Sequence, residues 1–483
     1  MTSPPTALYW FRQDLRLDDL PALHAAASTG KPLVACYVLD DTTPGRYAQG
    51  AASRWWLHHS LQALGQAIDT LGGRLLLRRG NSADVIVRLV EETGADAVFC
   101  SRAYTPWDSK LETTLHTQLA EQGVTFKRFA GSLLFEPESI RTGGNTPFRV
   151  YTPFWKSCRR QSAPKPPVAL AEKPIFANIA VQSLSLDDLA LLPRQPNWAA
   201  SWPDYWQPGS AGAHAALSRF LEGSIDNYAQ GRDVPSLQAT SLLSPHLHFG
   251  EISPRQVWHR VIDYCADHPQ LDGNRDKFLS ELGWREFNHH LLTHYPHICD
   301  SPFNPCFAEF PWMGSDDQLR AWQKGATGYP IVDAGMRQLW QTGYMHNRVR
   351  MICASFLTKH LLIPWQEGER WFWDTLVDAD LANNLNGWQW TAGCGADAAP
   401  YFRIFNPTLQ GKKFDAQGDY VRRWVPELAR LPDRHLHEPA AAPPEVLEAA
   451  GVKLGATYPS PIVEHRAARE AALAAYALIK QRE

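Results

Sequence analysis

Over its first 130 residues the chain switches repeatedly between two hydrophobic periods, and past about residue 211 one of those periods disappears. Apolar, β-branched or aromatic runs at Leu8–Phe11, Leu33–Leu39, Arg74–Leu77, Ala97–Cys100 and Val124–Phe129 alternate with helix-period stretches near 20–29, 52–71, 82–93 and 108–122. Parallel strands need a long crossover between them, so the alternation predicts β-α-β units and a parallel, Rossmann-like sheet. Ligands of such sheets bind beyond the carboxyl ends of the strands. No G-x-G-x-x-G follows the first run; Trp10-Phe-Arg-Gln-Asp-Leu-Arg16 stands there, which argues against a standard dinucleotide site in this part.

Between Pro137 and Pro208 the sequence holds eleven prolines and little periodicity, the mark of a connector. From about 211 helix-period patterns dominate, broken at Pro or Gly-rich turns, and a last helix is expected near 463–480. The expected organisation is an α/β domain over 1–135, a connector over 136–208 and a larger all-α domain over 209–483, with no internal repeat. A net charge of −3 provides no global basic field, so a nucleic-acid surface must be a local groove. The eight Cys form no C-x-x-C pair and no ligand-like grouping with His, which points to a reducing compartment and to no structural metal. Residues Met1–Phe11 are too short an apolar stretch for a signal peptide, and Lys359 and His360 interrupt the best candidate for a membrane span. A cytoplasmic monomer without a membrane segment is expected.

Of 19 Trp, nine lie between Trp284 and Trp390, and the stretch from Asp378 to Trp390 concentrates the chemistry. If it is helical, at about 100° per residue Trp388 and Trp390 point roughly 200° apart. One indole can then face a buried ring system while the other lines a cavity. Buried Asp378 and Asp380 would need partners. Read alone, the segment also fits a Trp-rich helical core with a polar loop. Elsewhere, Thr240-Ser-Leu-Leu-Ser244-Pro245 follows Tyr228, and Ser244 can cap a helix whose first position is Pro245, leaving N–H groups suited to a pyrophosphate. Glu281, Trp284 and Arg285 share a helical face, as do Asn347, Arg350 and Met351. Arg350 needs a buried anion, for which Asp378 is the named partner; surface ion pairs and a core Met are the plainer alternatives.

Taken together, Trp10-Phe-Arg-x-Asp-Leu-Arg16, Thr240-Ser-x-Leu-Ser244, Trp284-Arg-Glu-Phe287, Gly328-Tyr-Pro-Ile-Val-Asp-Ala334, Met345-His-Asn-Arg-x-Arg-Met351, Asp378-x-Asp-Leu-Ala382, Trp388-Gln-Trp390 and Tyr401-Phe-Arg-Ile-Phe-Asn-Pro407 resemble the DNA photolyase/cryptochrome family in order over nearly the whole chain. The likeness is to class I enzymes that repair cyclobutane pyrimidine dimers (CPD). It implies light-driven repair of damaged DNA, in which excited reduced FAD gives an electron to a flipped-out dimer and recovers it. It also implies FAD held by Tyr228, Thr240, Ser241, Leu242, Leu243, Ser244, Phe278, Arg285, Asn347, Arg350, Asp378, Asp380 and Asn384, with the amide of Asn384 at flavin N5. Glu281, Trp284, Asn347, Met351 and Trp390 would form the lesion pocket, and Arg232, Arg348 and Arg403 would meet phosphates. Glu281 would hydrogen-bond the dimer. Trp388, Trp365 and Trp312 match the family's photoreduction relay, with Trp322 as a branch.

Asn384 leans toward repair, because plant cryptochromes carry Asp and animal cryptochromes Cys there. In the (6-4) photolyases His stands at the positions of Asn347 and Met351, so that lesion is disfavoured. Departures from the pattern are Phe278 in place of Trp, Leu385-Asn386-Gly387 ahead of Trp388, and Trp107-Asp108 at the antenna position. The antenna chromophore could be methenyltetrahydrofolate, a deazaflavin, a second flavin, or absent. The rival expectations are a cryptochrome, usually with a long C-terminal extension that is not seen after the final helix here, and a light-independent flavin electron-transfer protein.

Overall fold

The computed structural model describes residues 6–169, 173–177 and 179–480; Met1–Pro5, part of the segment read above for a signal peptide, lie outside them. Five parallel strands form one sheet in the order β3-β2-β1-β4-β5. They are β1 (Thr6–Phe11), β2 (Leu33–Leu39), β3 (Leu75–Arg79), β4 (Ala95–Ser101) and β5 (Thr125–Phe129). Each matches an expected run within two residues. The register places Leu8 beside Val34 and Val98, and every residue of β1 and β2 is buried, as expected of a sheet covered on both faces. Leu8, Trp10, Val34, Val38, Leu76, Ile86, Leu89, Val98, Leu115 and Leu119 make one continuous core. The edge strand β5 is half exposed and carries Lys127 and Arg128, charges that discourage pairing with another chain.

Crossover helices span Pro21–Ala27, Ala51–Thr70, Ser82–Thr93 and Pro106–Glu121. The last begins two residues earlier than expected. Thr105 caps it by accepting the Asp108 N–H, and Pro106 occupies the first turn, where its missing donor costs nothing. Beyond the strand ends the Trp10–Arg16 motif is a structural clasp. Arg12 bonds Glu112 at 2.6 Å, Asp14 accepts from the hydroxyls of Tyr9 and Ser101, and buried Arg16 donates to the carbonyls of Asp18, Asp19 and Gly250.

The chain divides into two compact units. The first takes in the chain up to Asp226 with Ser241–Pro296 and Val377–Asp380; the second is Asn227–Thr240, His297–Leu376 and Leu381–Glu483. The first therefore holds the sheet and also the helices Pro254–Ala266 and Asp272–His294; the second is helical, and ends in the expected helix, observed at His465–Lys480. These are packing units, and the activity-based segments 1–135, 136–208 and 209–483 stay a proposal. Among its described residues the proline-rich connector holds an α-helix that its composition concealed, Tyr151–Arg160. Part of it runs along the start of β2, where Leu33 exchanges backbone hydrogen bonds with Ile175 and Ala177.

Candidate functional site

In the first unit the helix Asp272–His294 presents Phe278, Glu281, Trp284 and Arg285. Trp284 stacks on Tyr151 with ring centroids 3.7 Å apart and planes 9° from parallel, and the Tyr151 hydroxyl donates to the Ser280 carbonyl of the same helix. The connector helix thus covers one indole face. Phe278 packs against Phe220 at 4.6 Å. Glu281 pairs with Lys277 one turn back at 3.3 Å, and the nearest acid to Arg285 is Glu286, at 3.2 Å, so the plainer Glu281–Arg285 ion pair weighed from spacing is not what forms. Glu286 is fully buried and accepts the Leu134 and Phe135 N–H groups at 2.8 and 3.1 Å. Burial pushes its carboxyl up to about 7, against the pull of Arg285 and those two donors.

The stretch from Ser241 to Ser244 behaves differently from its motif reading. The helix Ser244–His248 begins at Ser244 itself, Leu243 is the residue before it, and no side chain caps it. Ser244, already the first residue of the helix, donates to Asp378 Oδ2 at 2.6 Å. Leu242 holds φ at +53°, a left-handed strain that non-glycine residues keep mainly at functional sites. Ser241 Oγ accepts the Leu243 N–H at 3.4 Å, a turn that bends the chain here. Asp380 lies 3.4 Å from His289 Nε2 and 3.8 Å from His248 Nδ1. Burial would raise its carboxyl, yet the two imidazoles hold it well below the usual carboxylate range.

In the second unit Tyr228 opens the short helix Tyr228–Gly231, with the Arg232 guanidinium 5.5 Å over its ring. Arg348 bonds Asp233 at 2.9 Å and lies over Phe414 at 4.6 Å. Its helix, Asn347–Ser355, starts with exposed Asn347 and is capped by the His346 ring, which accepts the Arg348 N–H. Met351 Sδ is 3.8 Å from Arg348, whereas Arg350 turns back to bond the Met345 carbonyl at 2.7 Å and sits over Tyr344. Arg403 is exposed. Thr240 is half buried. Arg350 and Asp378 belong to different units, so their pairing remains a proposal.

The helix expected around the tryptophans runs Leu381–Ala392, with Trp388 buried and Trp390 half buried two positions on. Trp388 packs edge-on against Phe372 at 4.9 Å and Trp322 at 6.1 Å, and Gly368 lies so close beneath it that a Cβ there would be 2.0 Å from the indole. Its Nε1 has no hydrogen-bond partner among the described residues. Asn384 donates through Nδ2 to the Glu369 carbonyl at 3.1 Å and to Glu369 Oε1 at 3.0 Å. Two acceptors fix which end of the amide is nitrogen, so its oxygen is the end turned away from Glu369. Trp365 is buried at the start of the helix Trp365–Thr375, and Trp312 is half buried against Phe310 at 4.4 Å.

Tyr151, His248, Glu286, His289, Glu369 and Phe372 were not singled out from sequence. Gly368 inside a Trp-rich helix was the available signal for Phe372 and Glu369, because an interior glycine marks a close approach. Each unit by itself holds features that suit an aromatic, polar cofactor such as FAD: in the second, a buried indole N–H without a partner among the described residues and an amide oriented by a carboxylate, and in the first, a carboxylate that takes the Ser244 hydroxyl.

Residues 7–172 match the family described as DNA photolyase, and residues 278–478 match the FAD binding domain of DNA photolyase. The chain is 48% identical over 474 residues, 98% of both chains, to a deoxyribodipyrimidine photo-lyase of Agrobacterium fabrum. It is 38% identical to Cryptochrome-2 of Arabidopsis thaliana, over 99% of this chain and 79% of that one. The crystal structure of a bacterial class III photolyase from Agrobacterium tumefaciens superposes with a TM-score of 0.96 at 48% identity, covering 100% of this chain and 99% of the other. With both halves matched in order and the identity sustained end to end, the chain belongs to the DNA photolyase/cryptochrome family.

Proposed function

We propose that this protein is a deoxyribodipyrimidine photo-lyase that repairs cyclobutane pyrimidine dimers in DNA under light. The observation that carries the reading is 48% identity to an enzyme of that name over 98% of both chains. FAD, when bound in reduced form, supplies the photoexcited electron. The chain's work is then to bind, orient and exclude water. Tyr228, Thr240, the turn Ser241–Ser244, Phe278, Arg285, Asn347, Arg350, Asp378, Asp380 and Asn384 hold the cofactor in this reading. Support comes from the strained Leu242, the Ser244–Asp378 bond and the Glu369-oriented amide of Asn384.

Glu281, Trp284, Asn347, Met351 and Trp390 receive the everted lesion. Flat, largely apolar pyrimidine faces suit indoles and a thioether. Arg232, Arg348 and Arg403 contact phosphates, and an antenna chromophore, methenyltetrahydrofolate or a deazaflavin or flavin, serves the segment 1–135. Trp388, Trp365 and Trp312 form the row of oxidisable rings drawn on in photoreduction, with Trp322 beside Trp388 as a branch. The protein acts as a cytoplasmic monomer. Likeness to a class III photolyase at 48% identity supports that class ahead of the class I pattern read from the motifs. The second reading is a cryptochrome, favoured by 38% identity to a plant cryptochrome over 99% of this chain.

The test is direct. Purified protein is loaded with FAD, reduced, mixed with an oligonucleotide carrying one thymine dimer, and illuminated with blue light. Restored thymines support the reading; light-induced flavin changes with the dimer intact support the cryptochrome.

A further inference from the structure

Trp284, read above as a wall of the lesion pocket, is held from behind. Tyr151 lies against it with ring centroids 3.7 Å apart and planes 9° from parallel, too close for another ring to enter between them. A stack sets an orientation only if its own members stay in place, and Tyr151 does. It is buried, its hydroxyl donates at 2.6 Å to the carbonyl of Ser280, one turn before Trp284 on the same helix, and its ring meets Phe287 at 5.9 Å. Phe287 also stands against Trp284, centroids 6.0 Å and planes 74° apart. The half-buried indole is therefore covered on one face and braced by a second ring, so a flat ligand can stack only on the opposite face.

The helix that carries Tyr151 is itself seated on the helix Asp272–His294. Trp155, one turn on, fills the space over Gly283, where a Cβ would fall 2.6 Å from its ring, and Phe154 packs on Phe287 at 5.2 Å. Just ahead of that helix the Phe148 N–H donates to His290 Nε2 at 3.0 Å. These contacts fix the height of Tyr151 over the indole, and all of them lie in the first unit. Packing alone would be satisfied by an apolar residue of similar volume. A flat ring nearly parallel to an indole is a narrower requirement.

We propose that Tyr151 is a positioning residue for the lesion: it fixes the Trp284 indole in one orientation and blocks its rear face, so that an everted pyrimidine dimer meets a wall already set. The inference rests on the reading of Trp284 as a pocket residue. Immobilising a side chain with several rotamers costs free energy at the moment of binding, and a stack formed beforehand removes that cost. A freed indole could offer either face, which spreads the bound lesion over several placements.

The experiment asks whether Tyr151 acts through Trp284. FAD-loaded protein is kept in the dark and titrated with a labelled oligonucleotide carrying one thymine dimer, and with the same oligonucleotide undamaged. The proteins are the wild type, Tyr151→Phe, Tyr151→Leu, Trp284→Ala and the double variant Tyr151→Leu with Trp284→Ala. FAD affinity by fluorescence titration and a thermal melt of each variant are the folding controls. The expected result is a Kd for the dimer about tenfold weaker in Y151L, equivalent to ~1.4 kcal/mol, rescue to within about threefold in Y151F, which keeps the ring, and an unchanged Kd for undamaged DNA. In the W284A background Y151L should add less than about twofold, because the residue it acts through is gone. Should Y151L fail to fold, Tyr151→Met, whose flexible thioether fills the space without a flat face, carries the same expectation. Wild-type dimer affinity in Y151L beside a weakened W284A overturns the proposal, as does an undiminished loss when Y151L is added to W284A. Wild-type affinity in W284A shows instead that Trp284 is not a pocket wall and overturns the proposal at its premise, whereas failure of the reduced, illuminated wild type to restore a thymine dimer refutes the repair reading without touching the binding result.

Discussion

Glu286 gives the sharpest test of the electrostatics. Its carboxyl is fully buried, binds two backbone N–H groups and touches Arg285, and burial pushes it up to about 7 from the ordinary 4.5. A folded-state pKa raised above the unfolded value means that the native protein binds more protons between the two. The resulting stability is fully present below about pH 4.5 and is lost as pH rises through about 7. Between pH 5.5 and 8.5 this one group should withdraw about 2 kcal/mol. Glu286→Gln removes the titration but sets an amide N–H against Arg285, at a pH-independent cost of about 1–2 kcal/mol. In urea unfolding at a series of pH values, the stability of wild type minus that of the variant should therefore fall by about 2 kcal/mol from pH 5.5 to 8.5. All other titrating groups cancel in that difference. A gap constant to within about 0.5 kcal/mol would mean that the carboxyl titrates in the ordinary range, and the burial argument would fail.

Gly368→Ala drives a methyl into the Trp388 indole and should cost about 1–3 kcal/mol while slowing photoreduction; an unchanged melting temperature and rate would show slack beneath the ring. Trp390→Ala should weaken binding to a dimer-containing oligonucleotide about tenfold, within the ~1–3 kcal/mol range for base stacking on an aromatic side chain, and equal affinity removes Trp390 from the lesion pocket. Trp388→Phe should impair photoreduction and spare repair by chemically reduced protein, whereas equal loss of both indicates misfolding. Ser244→Ala should weaken FAD binding by removing a donor from Asp378, readable as a higher Kd in the fluorescence titration; an unchanged Kd detaches that bond from the cofactor.

Much of the framework was legible because it is periodic. The strands β1 and β2 appeared as short apolar runs, since a strand buried on both faces is apolar at nearly every position, whereas the half-exposed edge strand β5 carries Lys127 and Arg128. Given the helix Leu381–Ala392, the opposed settings of Trp388 and Trp390 follow from its angular step alone. The motif residues were legible through resemblance, which names positions without giving their partners.

Partners were decided by the fold. Ser244 has the sequence of a cap, yet a carboxylate 134 positions away takes its hydroxyl. Arg285 shares a helical face with Glu281 but meets Glu286, whose carboxylate also takes the N–H groups of Leu134 and Phe135, 152 and 151 positions away. The face of Trp284 is covered by Tyr151 from a proline-rich stretch that showed no period. Periodicity is a property of neighbours along the chain, so local composition determines which elements form and which side of each is apolar. Hydrogen bonds and ion pairs depend on side chains distant in sequence arriving within about 3 Å with the right donor geometry. That coincidence, which brings His248 and His289 to Asp380 and Glu369 to Asn384, exists only once the helices have packed.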